Sequence, residues 1–178
     1  AEASFVARTI DSDRKHLTEV LRAAAGHPGT ALIEIYQNCN IFNDGAFDAL
    51  KDKQQAQEAL IRLEHGQPIR FGADGSRGVV RDQRTGDLKA VTVTAENEAD
   101  ILMHDAHSAS PTTAFALSRL ADPDTLHHTP IGVFRSVERP VYDTAMADQL
   151  DTAIEQKGKG DLAALLAGND TWTVESSS

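Results

Sequence analysis

The chain holds one thiol, Cys39, together with seven histidines and twenty-seven acids. Cys39 lies in Gln37-Asn38-Cys39-Asn40-Ile41-Phe42-Asn43-Asp44-Gly45. Three roles are open to such a residue. It can be a small buried hydrophobe. It can be a nucleophile, which needs a base, and no histidine is placed near it by spacing. It can be a metal or cluster ligand, which needs further thiolates, and the chain has none. A four-cysteine site therefore cannot be completed within these residues, and no disulfide can form within the chain. Asn38, Asn40 and Asn43 can form the loop by satisfying local backbone, or line a cofactor pocket.

Two histidine groups offer metal-ligand chemistry: His104-Asp105-Ala106-His107 and His127-His128. The spacing of His104 and His107 puts both on one face only in a helix, and no third ligand is evident. Hydrogen bonding at a surface or interface is the competing role. Gly72, Gly75 and Gly78 suggest a phosphate cradle, but the spacing is not G-x-G-x-x-G and Val79-Val80 follows where a helix would be required. Turn glycines are the better reading.

The elements that must position Cys39 form a β-α-β pattern. Residues 4–9 are a short strand rich in Phe and Val. Asp11 and Asp13 supply acids where a helix begins. Leu17, Val20, Leu21 and Ala24 then recur at helical spacing. Gly26 and Pro28 end that helix. Thr30 to Tyr36 (TALIEIY) is a nearly continuous apolar run, as in a buried parallel strand. The Cys39 loop leaves its carboxyl end, where open α/β sheets bind ligands.

Beyond Gly45 the pattern is mixed. Helices are expected over 47–50, 54–63, 112–120, 142–156 and 161–167, with Ala56, Leu60 and Leu63 sharing a face of the second. Short strands are expected over 68–71, 78–81, 88–94 and 130–137, with turns at Asp74-Gly75 and Thr85-Gly86-Asp87. Residues 102–104 fit strand or helix equally. Lys157-Gly158-Lys159-Gly160 is the most linker-like point, and residues 175–178 form a polar tail.

Composition narrows the function. Hydrophobic residues make up 40% of the 178, enough for a core, and the net charge is −10. An acidic chain lacks the basic face that binds nucleic acid. No stretch approaches the ~18 apolar residues of a membrane span, and no signal peptide opens the sequence. A cytoplasmic location is expected. The abrupt first strand and the missing initiator Met suggest a piece of a longer polypeptide.

The run GTALIEIYQNCNIFNDGAF (29–47) resembles the beta subunit of the 2-oxoacid:ferredoxin oxidoreductases, most of all the 2-oxoglutarate type. So does ASFVARTIDSDRKHLTEVLRAAAGHPG (3–29). ILMHDA (101–106) and TPIGVFRSVERPVYD (129–143) resemble the family's C-terminal extension more loosely. The resemblance implies an α/β fold: residues 1–45 as the C-terminal part of a parallel-sheet, Rossmann-like, thiamine-diphosphate-binding domain. Residues 46–178 would be a small α+β extension covering the sheet or meeting another subunit. It implies thiamine diphosphate, Mg²⁺ and a [4Fe–4S] cluster in the intact subunit, with Cys39 as a cluster ligand and Asn43 beside the cofactor. Its partners would be an alpha subunit, ferredoxin, a 2-oxoacid and coenzyme A. The family's Gly-Asp-Gly motif and its three other cysteines are missing here, so neither cofactor is expected to bind this chain alone. Two other functions remain: a non-catalytic subunit-docking module, or a thiamine-dependent decarboxylase or synthase without a cluster.

Overall fold

The computed structural model describes residues 3–175. Residues 176–178 of the expected polar tail lie outside the described residues. The chain divides into two compact units, Ala1–Arg139 and Pro140–Ser178.

The first unit opens with β1 (Phe5–Ile10), α1 (Arg14–Gly26) and β2 (Ala31–Tyr36), and β1 and β2 pair in parallel from Phe5↔Ala31 to Ile10↔Tyr36. Asp13 caps α1 by accepting the His16 N–H at 3.1 Å, which satisfies one of the free amides at a helix start. Val20 of α1 is buried against Phe5 and Ala7, so α1 covers one face of the sheet. Leu21 stays exposed. After β2 come α2 (Asp48–Lys51), α3 (Lys53–Ala59) and β3 (Leu60–Leu63). A three-stranded antiparallel sheet follows: β4 (Arg70–Phe71), β5 (Arg77–Arg81) and β6 (Leu88–Thr92). The unit ends with α4 (Thr112–Ser118) and β7 (Thr129–Ser136).

The main sheet has the order β2-β1-β7-β3. β7 lies antiparallel to β1 and parallel to β3. The main core packs Ile61, Leu63 and Phe134 of this sheet against Ile69, Phe71 and Val79 of the small sheet and Leu117 of α4.

Two expectations are corrected here. Residues 60–63 are strand, not the end of a helix. Leu60, Ile61 and Leu63 are buried while Arg62 is exposed, and pairing with β7 outweighs the helical spacing. β2 is parallel as expected but is an edge strand, with Leu32 58% exposed. Residues 102–104 are extended, held by the bridges Pro68↔Met103 and Val80↔Ile101 on either side. The second unit holds α5 (Tyr142–Lys157) and α6 (Leu162–Ala167), separated at Gly158, which has φ +79°.

Gly132 is where β7 can pass between β1 and β3. Its φ is +119°, and a Cβ there would lie 2.7 Å from the Leu63 carbonyl oxygen. Gly132→Ala should destabilise the chain by about 3 kcal/mol, combining backbone strain with overpacking. Gly86→Ala has a positive φ but open space around it, and should lose only about 1 kcal/mol. Urea unfolding midpoints of the two variants check this ordering.

Candidate functional site

Segment 37–59 carries the chain across the carboxyl ends of β1 and β2 toward β3. Its fold is fixed by apolar anchors: Leu50 is buried with Ile10, Leu60 and Ile131, and Phe47 stacks on Tyr36 with ring centroids 4.7 Å apart. Beneath Tyr36 lies Arg8, with its guanidinium 5.1 Å from that ring and 5.2 Å from Phe134. Arg8 also bonds Glu34 at 2.6 Å and donates to the Pro130 and Ser118 carbonyls. A buried cation is tolerated because every side of it meets an acceptor or a π face. Burial raises the Tyr36 pKa, which keeps its hydroxyl neutral.

Cys39 sits at the head of this segment, half-buried. The nearby backbone N–H groups of Phe42, and then Ile41 and Asn43, lower the thiol pKa against a small opposing effect of burial. Amide dipoles aimed at one sulfur stabilise the thiolate, the form that binds metal. The Asn43 N–H also bonds the Cys39 carbonyl at 2.8 Å and closes the turn. Asn38 is the clamp that the sequence did not single out from its neighbours. Its Nδ2 donates to Asn40 (2.7 Å) and Asp44 (2.9 Å), and its Oδ1 accepts the Gly45 N–H at 2.8 Å. Asn38 and Asn40 are thus loop-formers. Asn43 contributes its backbone, and its side chain is exposed. Beyond the sulfur, Ile41 and Phe42 are 83% and 89% exposed. Toward α1, a cleft of about 640 Å³ opens between Asp13, Lys51, Arg62 and Gly72.

The histidines lie elsewhere. His104 and His107 bond the Val133 and Ser136 carbonyls at the other end of β7, which pairs with the start of β1. His65, missed in the sequence, joins them: its ring meets His107 edge-on at 4.3 Å, and its Nδ1 accepts the Ala106 N–H. His128 accepts from Arg77 at 3.1 Å. Hydrogen bonding is the role these contacts display. Among the described residues no three His, Cys, Asp or Glu side chains gather as metal ligands would. Gly72-Ala73-Asp74-Gly75 forms the turn before β5, where Asp74 accepts the Ser76 N–H.

Two curated relatives place this geometry. The 2-oxoglutarate oxidoreductase subunit KorB of Mycobacterium tuberculosis is 51% identical over 98% of this chain and 46% of its own length. The chain is similar, almost end to end, to part of that subunit. A 2-oxoacid:ferredoxin oxidoreductase subunit beta from Saccharolobus solfataricus is 25% identical over 53% of this chain and 32% of its own length. The chain spans less than half the length of KorB, and the match to the second relative covers about a third of that protein. No protein-family model matches it, and no solved structure matches it significantly. The resemblance read from residues 3–47 and 129–143 therefore extends across the chain to KorB. The two stretches meet in space, since residues 129–136 are β7, the neighbour of β1.

The lowered thiol pKa predicts alkylation of Cys39 by iodoacetamide with a pH midpoint below that of an ordinary thiol. Asn38→Ala should loosen the turn and move that midpoint back up; an unchanged profile would mean that the amides are not held by the clamp. A second expectation concerns acid stability. Burial lowers the pKa of His16, His104 and His128 below 6.5, and the Nδ1 of His104 is buried without a hydrogen-bond partner. The unfolded chain takes up protons first, so stability falls as pH drops below about 6.5. Melting temperatures at pH 7.5 and 5.5 should show the loss, and His104→Gln should shrink the difference.

Proposed function

We propose that this chain is the Cys39-bearing part of a 2-oxoacid:ferredoxin oxidoreductase beta subunit. The enzyme would oxidatively decarboxylate 2-oxoglutarate to succinyl-coenzyme A and pass electrons through an iron–sulfur cluster to ferredoxin. One observation carries the reading. The chain's single cysteine, inside the stretch similar to KorB, is presented at a strand's carboxyl end in a loop that Asn38 ties together. Such N–H contacts are also what a cluster ligand uses to tune reduction potential.

Cys39 fits the role of one cluster ligand among four. The other three thiolates come from another part of the enzyme. A bound [4Fe–4S] cluster supplies one-electron transfer. What this chain does for it is local: Asn38 fixes the turn, the backbone N–H groups of 41–43 favour the thiolate, and Ile41 and Phe42 present apolar surface beside it. Asn43, next to that sulfur, is proposed to face the cofactor. Thiamine diphosphate and Mg²⁺ are proposed for the intact subunit. Gly72-Ala73-Asp74-Gly75 is a turn whose aspartate accepts the Ser76 N–H. No chemical step is assigned to this chain through them. The alpha subunit, ferredoxin, the 2-oxoacid and coenzyme A are the proposed partners of the assembled enzyme. No helix among the described residues is long and apolar enough to cross a membrane, and the cytoplasm is the proposed location.

The test uses the assembled enzyme purified without oxygen. Cys39→Ser should reduce iron per enzyme and abolish or reshape the electron paramagnetic resonance signal of the reduced cluster, while 2-oxoglutarate-dependent reduction of ferredoxin falls at least a hundredfold. Wild-type iron content and spectrum in the variant would overturn the assignment. A wild-type enzyme that binds thiamine diphosphate but no iron would favour the cluster-free decarboxylase or synthase.

A further inference from the structure

The second unit carries apolar surface that its own fold does not bury. Neither α5 nor α6 contains a buried residue. Along α5, Tyr142, Met146, Leu150 and Ile154 recur every fourth position and are 38–79% exposed. At 100° per residue they form a stripe down one side. Asp148 and Glu155 project from the other side, and Asp151 lies between them and the stripe. After Gly158, Leu162, Leu165 and Leu166 of α6 are exposed, and so are Trp172 and Val174. Nine large apolar side chains within 33 residues far exceed the scattered exposure of an ordinary surface. Tyr and Trp are also residue types that dominate binding energy at interfaces.

Charge narrows the occupant. Residues 140–178 hold seven acids and two bases, half of the chain's net charge of −10. A second copy would bring an equally acidic surface to an acidic arm, which repels. A membrane surface suits helices with a basic polar face, and this one is acidic. We infer that the arm 142–174 docks, helix in groove, on a different polypeptide whose apolar groove is bordered by lysine and arginine. Asp143 and Asp151, at the margins of the stripe, meet that border. The inference rests on the oxidoreductase reading, under which the occupant is the enzyme's alpha subunit.

The full chain is mixed with purified alpha subunit from the same organism, and binding is followed by calorimetry and light scattering. Leu150→Asp/Ile154→Asp and Trp172→Ala should each weaken binding at least tenfold, while Leu150→Met binds as wild type. Binding should also weaken as salt rises. Thermal unfolding of each variant, matched to wild type, separates lost docking from lost folding. Wild-type affinity in the aspartate variant overturns the docking role and leaves the oxidoreductase reading intact. Self-association of the free chain that the same substitutions abolish also overturns it, in favour of a second copy. Failure of the wild-type chain to bind the alpha subunit at all would overturn both.

Discussion

The first unit depends on a single insertion: β7 must enter the sheet between β1 and β3. β1 and β2 are local neighbours and pair through a short crossover, but their sheet would be two strands wide, too little to stand alone. β7 arrives from residues 129–136 and pairs with β1 on one side and β3 on the other. It brings Phe134 and Ile131 into two different core clusters. Gly132 permits this, because the Leu63 carbonyl occupies the space a side chain would need. Arg8 fastens the same junction: it spans from Glu34 on β2 to the Pro130 carbonyl on β7. The carboxyl ends of β1 and β2, and the loop that leaves them, are therefore held in place by residues more than ninety positions away.

That arrangement sets the chemistry open to Cys39. A lone thiol on a mobile surface loop would titrate like the free amino acid. Here, Asn38 ties both ends of the turn together, and the backbone N–H groups of 41–43 lower the thiol pKa. Tyr36 and Phe47 anchor the entry and exit of the loop on the sheet below. The lowered thiol pKa thus has backbone N–H groups as its cause and no side-chain cation among its causes.

The sequence made the opening of the fold plain and hid the middle. β1, α1 and β2 follow from apolar spacing, from Asp13 and from Gly26-His27-Pro28, all local signals. The helix-to-strand change at Leu60 is not local. Ala56, Leu60 and Leu63 satisfy a helical stripe, and Leu60-Ile61-Arg62-Leu63 satisfies alternation only once β7 supplies the partner. The same applies to His104: its spacing from His107 suggested a shared helix face, but bridges at Ile101 and Met103 keep the segment extended. The place of Cys39 just after β2 was legible. The Asn38 clamp on its loop was not, because Asn38, Asn40 and Asn43 carry the same side chain and only the fold sets which one bridges the turn.

β2 shows the opposite mismatch, where the composition asks for more burial than the fold provides. Its residues ALIEIY fit a strand covered on both faces, yet α1 covers only one. On the other face, a groove of about 890 Å³ runs over β1 and β2, with Leu32 and Phe115 exposed at its walls. The small sheet and α4 cover β7 and β3 on that side and stop short of β2. Parallel strands are stable chiefly when buried on both faces, and the outer edge of β2 offers unpaired backbone groups as well. Within the main sheet this shortfall falls on the strand that feeds the Cys39 loop.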